Sequence, residues 1–103
     1  MQHVTNEFSL FMAETLEVGQ AYMEMVKKNA QASSLDKKTQ ELAYIAVLSA
    51  IRMTGGLNFH VKSAKAQGAT RDEIKSAVLI GLPVTGVTLV DALEAALSSY
   101  DES

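Results

Sequence analysis

Three side chains in this sequence have types suited to chemistry: His60, Glu41 and Arg52. An imidazole ordinarily exchanges its proton near neutral pH, a carboxylate can support it, and a guanidinium can hold an anion. Helical geometry puts Glu41, Ile45, Leu48 and Arg52 on one stripe of a predicted helix. A carboxylate and a guanidinium then bracket an apolar face that has to be buried against something. Charges so placed sit at its margins, are paired, or line a cavity. His60 falls on the next predicted helix, beside an inward stripe of Leu57, Val61 and Ala64.

Each of these residues also has a plain structural use. A lone histidine at the edge of an apolar face is most often a packed residue with one nitrogen satisfied. Glu41 has Lys37 one turn earlier, which makes a solvated i,i+4 pair its default explanation. Arg52 can serve as a helix C-terminal cation. His3 is assigned no role. Thr54 and Asn58 suit helix capping better than ligand binding, and Lys62 and Lys65 read as a solvated face. Met12, Met23, Met25 and Met53 read as core or interface filler.

Composition excludes several classes of function. The 103 residues contain no cysteine, so disulfides, thiolate metal sites and cysteine nucleophiles are absent. Two histidines without a metal-spaced motif make a poor metal protein, and no cofactor is expected. A net charge of −3 with scattered basic residues gives no field for nucleic acid or an anionic membrane. The apolar runs Ala43 to Ile51 and Ala77 to Val90 are too short or too broken to span a membrane. The N-terminus has no signal-peptide pattern, and the expected location is cytoplasmic.

The elements that must position these residues are all helical, in one domain over residues 1–103. Residues 4–29 read as one long amphipathic helix, with Phe8, Thr15, Tyr22, Met25 and Val26 recurring at helical spacing. A second helix starts at the N-cap Asp36 and runs to about Met53, where Gly55-Gly56 stops it. Its middle, Ala43 to Ile51, is apolar around nearly the whole circumference and must be buried on several sides, either centrally in the domain or against another subunit. A third helix covers about 57–67 and ends at Gly68. Thr70 and Glu73 form a capping box for a fourth, which turns Ile74, Ala77, Val78 and Leu79 inward. A fifth runs from about Pro83 to Ser98 with Leu89, Ala92, Leu93, Ala96 and Leu97 inward, and Ser99 to Ser103 are expected to fray.

Three stretches carry a family resemblance: Leu35-Asp36-Lys37-Lys38-Thr39-Gln40-Glu41-Leu42, then Arg52 through Lys62, then Ala66 through Ile74. Together they resemble the carboxymuconolactone decarboxylase family, which also contains the alkyl hydroperoxidase D-like disulfide reductases, over about residues 35–98. The thiol branch has a glutamate, a C-x-x-C twelve residues on, and a histidine four after the second cysteine. Glu41, Met53, Gly56 and His60 occupy those spacings here. Both sulfurs are gone, and neither a thioether nor a glycine can supply a thiolate, so peroxide reduction by a cysteine pair is excluded. The decarboxylase branch lacks those cysteines and keeps the histidine. Leu82 through Thr88 resembles its Tyr-Ala-Gly-x-Pro segment, with Val84 in place of the aromatic and Thr88 in place of the proline.

The resemblance implies an alkyl hydroperoxidase D-like bundle of about five helices that assembles as a homo-oligomer, a trimer or hexamer. A short chain with so apolar a central helix points to self-association too. The implied activity is that of a lyase: decarboxylation of a small carboxylated lactone, with His60 as acid/base, Glu41 orienting it or passing a proton, and Arg52 holding the departing carboxylate. Two alternatives stay open. One is an isomerisation or hydrolysis by Glu41 and His60, the other a non-catalytic ligand-binding or scaffold oligomer of the same fold.

Overall fold

The computed structural model describes residues 4–102, so His3 and Ser103 lie outside the described residues. Helices α1 (Asn6–Thr15) and α2 (Glu17–Ala32) take the place of the single expected N-terminal helix. The break is Leu16, at φ 42° and ψ −88°, which no continuing helix can accommodate. The chain folds back on itself there, and Phe8 and Phe11 meet Tyr22 edge-on with ring centroids 6.2 and 5.8 Å apart. A continuous helix would hold those rings some 15 Å or more apart at about 1.5 Å rise per residue. Gly19 permits the crossing: a Cβ on it would sit 3.2 Å from the Met12 backbone. No sequence signal marks the break, because leucine is not a residue that ordinarily ends a helix.

Helix α3 (Lys37–Ala50) starts where expected, with the Asp36 carboxylate accepting from the Thr39 N–H at 2.8 Å. It ends earlier than the apolar pattern suggests. The Met53 N–H donates to the Leu48 carbonyl and the Arg52 N–H to the Ser49 carbonyl, which closes the helix before Arg52. Arg52 itself adopts φ 64°, in the left-handed region usually left to glycine. The Glu41–Ile45–Leu48–Arg52 stripe therefore loses its last member. A 3-10 turn, Thr54–Gly56, leads directly into α4 (Leu57–Ala66).

Four helices enclose the core: α3, α4, α5 (Arg71–Leu79) and α7 (Asp91–Asp101), with α3 and α7 each packed against both α4 and α5. Ile45, Leu57, Val61, Ala64, Ile74, Val78, Leu89 and Ala96 are fully buried there. Each large side chain among them contributes about 1.5–3 kcal/mol. The expected stripes of the third and fourth helices hold at Leu57, Val61, Ala64, Ile74, Ala77 and Val78, while Leu79 is exposed. The capping box is formed, Thr70 Oγ1 accepting from the Glu73 N–H and Glu73 Oε1 from the Thr70 N–H. Gly68, at φ 92°, ends α4 as expected.

The expected fifth helix is divided at Gly86, whose φ of 73° separates α6 (Leu82–Thr85) from a 3-10 turn and then α7. Helix α7 continues to Asp101 with Ser99 buried, so the stretch expected to fray is structured as far as residue 102. Side chains fasten it. Lys62 donates to Glu102 and to Asn58 Oδ1, Lys65 donates to the Tyr100 carbonyl, and Arg71 pairs with Asp101. Lys62 and Lys65 are thus structural ties rather than a solvated face. In the single chain the central helix α3 has Ile45 and Ser49 covered but leaves Val47 exposed, as is Ile51 just past its end. Among the described residues there is no strand, and no helix is long and apolar enough to cross a membrane.

Candidate functional site

Glu41 sits near the start of α3 and His60 in the middle of α4, and the packing of these two helices brings them face to face. His60 Nδ1 lies 2.6 Å from Glu41 Oε2, with the histidine side chain 26% and the glutamate 17% exposed. Glu41 thus turns to His60 and not to Lys37. An ionised carboxylate can only accept, so opposite one the ring donates from Nδ1 and Nε2 is the nitrogen left for another molecule. Neutral His60 is then a base at Nε2, and protonated His60 an acid at the same atom.

Two rings fix the imidazole. Tyr44, one turn beyond Glu41 on α3, lies 4.9 Å from it between centroids, and Phe59 stands edge-on at 5.1 Å. The Tyr44 hydroxyl accepts from Gln40 Nε2 at 2.9 Å, which holds the phenol in place. Tyr44 was legible in principle, since three-residue spacing from Glu41 puts it on the same helix face. The aromatic residues of the N-terminal hairpin were not, because their position depends on the unsignalled turn at Leu16.

His60 opens onto a cleft of about 650 Å³. Arg52, Met53 and the 54–56 turn form one side of it, and Glu7, Phe8, Tyr22 and Met23 of the hairpin form the other. Arg52 therefore reaches the site from a left-handed turn beyond the helix, not from the helical stripe. Its Nη2 lies 3.4 Å from Asp91 Oδ2, and both side chains are largely exposed. Met53 is 58% exposed on the cleft, a wall of it and not core filler. Thr54 begins the 3-10 turn and lines the cleft, while Asn58 accepts from Lys62; neither caps α4.

The two positions that hold cysteine in the thiol branch, Met53 and Gly56, both face this cleft. Gly56 is packed closely, and a Cβ there would sit 3.1 Å from Leu48 Cδ2. A side chain at position 56 would require the end of the Leu48 side chain to give way slightly. Among the described residues no group of three His, Asp or Glu converges to hold a metal ion.

No curated protein and no solved structure matches the chain significantly. A family comparison does match, over residues 17–98, and so includes α2 as well as the 35–98 stretch carried by the sequence motifs. That span covers most of the chain and every element of the four-helix core, and contains Glu41, Arg52 and His60. The chain belongs to the carboxymuconolactone decarboxylase family.

Proposed function

We propose that the cleft decarboxylates a small carboxylated lactone by acid–base chemistry, with His60 and Glu41 as its working pair. The observation that carries this reading is the 2.6 Å contact between Glu41 Oε2 and His60 Nδ1 at the edge of a sizeable, mostly apolar cleft. In a γ-carboxylated unsaturated lactone, heterolysis of the bond to the carboxylate releases CO2 and leaves its electron pair on the γ-carbon. The ring carbonyl takes up that charge as a dienolate. His60, protonated on both nitrogens, gives the Nε2 proton to carbon, and solvent restores it. Glu41 holds the ring and stabilises its cationic form. Arg52 orients the carboxylate at the mouth of the cleft.

Removing a general acid of this kind lowers turnover by about 10²–10⁴-fold. The test is ultraviolet-monitored CO2 loss from γ-carboxymuconolactone and from the simpler γ-carboxybutenolide, by wild type beside His60→Ala. Loss in the folded variant supports the reading, and equal turnover removes it.

A homo-oligomer, trimeric or hexameric, belongs to the same proposal. Ile80, Val84 and Val87, 69%, 87% and 73% exposed, lie within one short stretch around α6, and a second copy would cover them. One observation favours a non-catalytic, ligand-binding role as the second reading. Arg52, the cation in the cleft, is 60% exposed and already paired with Asp91, which is a modest provision for stabilising charge in a transition state.

A further inference from the structure

The charges around the cleft are few and unevenly placed. Among the residues lining it, Arg52 carries a positive charge and Glu7 a negative one. Glu7 lies in the first turn of α1, where the helix dipole favours a carboxylate. Behind His60 stands a second carboxylate, Glu41, and beside Arg52 a third, Asp91. A ligand with one negative group finds a partner in Arg52. A ligand with a second one meets Glu7 on the hairpin side, and among the described lining residues the other group able to carry positive charge is His60, which the proposed chemistry commits to the reacting carbon.

The rest of the lining is mostly apolar. Tyr22, Met53 and Phe59 are 46%, 58% and 39% exposed, and all three border the cleft with Phe8. Apolar side chains exposed around a concavity, with few convergent polar groups, are the usual features of a small-molecule site. The backbone supplies an independent sign. Arg52 occupies a left-handed position where a side chain costs about 1–2 kcal/mol, while the equivalent turn after α4 uses Gly68. Strain of this kind persists at ligand sites where the side chain's position is needed.

We infer that the cleft selects small, largely apolar molecules bearing a single carboxylate, with Arg52 holding that carboxylate and Glu7 excluding a second. This rests on the reading of the cleft as a substrate site, and it narrows the substrate class to monocarboxylates. A γ-carboxybutenolide then fits better than the dicarboxylated muconolactone.

Unreactive probes test the selectivity apart from any turnover. Nuclear magnetic resonance titrations at low ionic strength would use 2-furoate, furan-2,5-dicarboxylate and the neutral 2-furamide. They share one ring and differ in charge. Wild type should bind 2-furoate, with shifts at His60 and Arg52, about two- to fivefold more tightly than either of the other two, the effect of a partly screened ion pair. Arg52→Gln should reduce 2-furoate to the level of the amide. Glu7→Gln should narrow the gap between the dicarboxylate and 2-furoate.

Equal binding of the amide and 2-furoate would overturn the inference. So would a dicarboxylate that Glu7→Gln fails to admit, or absence of binding by all three. Selective binding without CO2 release from either lactone would keep the inference and remove the decarboxylation chemistry instead.

Discussion

Glu41 and His60, nineteen residues apart on different helices, are joined by a 2.6 Å contact between carboxylate and imidazole. Neither side chain is fully buried, so the pair stays open to solvent and ligand while Tyr44 and Phe59 hold the ring from two sides. Such an arrangement, with the carboxylate ionised, selects the tautomer with its hydrogen on Nδ1 and leaves Nε2 for another partner.

The pair should be energetically coupled in the folded protein. Unfolding free energies of Glu41→Ala, His60→Ala and the double variant are expected to give a coupling of about 1–2 kcal/mol, toward the low side for a charge-assisted hydrogen bond because both groups are partly solvated. Additive losses from the two single variants would show that the contact is incidental.

Arg52 and Gly68 make opposite predictions from the same geometry. Both follow a helix in the left-handed region, at φ 64° and 92°. Arg52→Gly relieves the side-chain strain and gives up an exposed ion pair of little worth, so a net gain of about 1 kcal/mol is expected. Gly68→Ala should cost about 1–2 kcal/mol through the backbone alone, since a Cβ there would meet nothing within 4 Å. Thermal denaturation of both variants checks this, a change of about 4–8 °C being expected for each kcal/mol. A lower midpoint for Arg52→Gly would mean that the arginine stabilises the turn.

Acid should weaken the fold through three carboxylates. Glu73 is held below its ordinary value of 4.5 by the Thr70 N–H and then Lys38. Asp36 is lowered mainly by the Thr39 N–H, and Asp101 by Arg71. Each takes up a proton less readily folded than unfolded, so the stability it lends is present above its unfolded value and is lost as pH falls through the folded one. The urea midpoint should therefore decline below about pH 4.5, the unfolded reference value for a glutamate. Glu73→Gln should decline less steeply over that range. An equally steep fall in that variant would assign the acid sensitivity elsewhere.

Self-association is the fourth expectation. Light scattering at micromolar concentration should give a particle of three or six chains of 11.1 kDa each. A stable monomer would leave the apolar face around Ile80, Val84 and Val87 without a purpose and would contradict the oligomer.

Much of this structure could be read from the residues. The four core helices follow from apolar spacing and from caps at Asp36 and Thr70, while Glu41 and His60 pair as candidates only through the family resemblance. Several things escaped, three of them instructive. The turn at Leu16 depends on tertiary contacts among Phe8, Phe11, Tyr22 and Gly19 that no local propensity encodes. Arg52 looked helical because arginine is a good helix former, and only the hydrogen bonds from Arg52 and Met53 reveal the closed end. Lys62 reads as a surface cation until the Glu102 carboxylate of a distant helix reaches it.

The most direct test of the central claim is CO2 release from γ-carboxybutenolide, with γ-carboxymuconolactone alongside, by wild type, Glu41→Gln and His60→Ala, each shown to be folded by its thermal midpoint. The account predicts turnover by wild type, a fall of about 10²–10⁴-fold in His60→Ala and a smaller fall in Glu41→Gln. Equal turnover by wild type and a folded His60→Ala, or no turnover by wild type on either lactone, would contradict it.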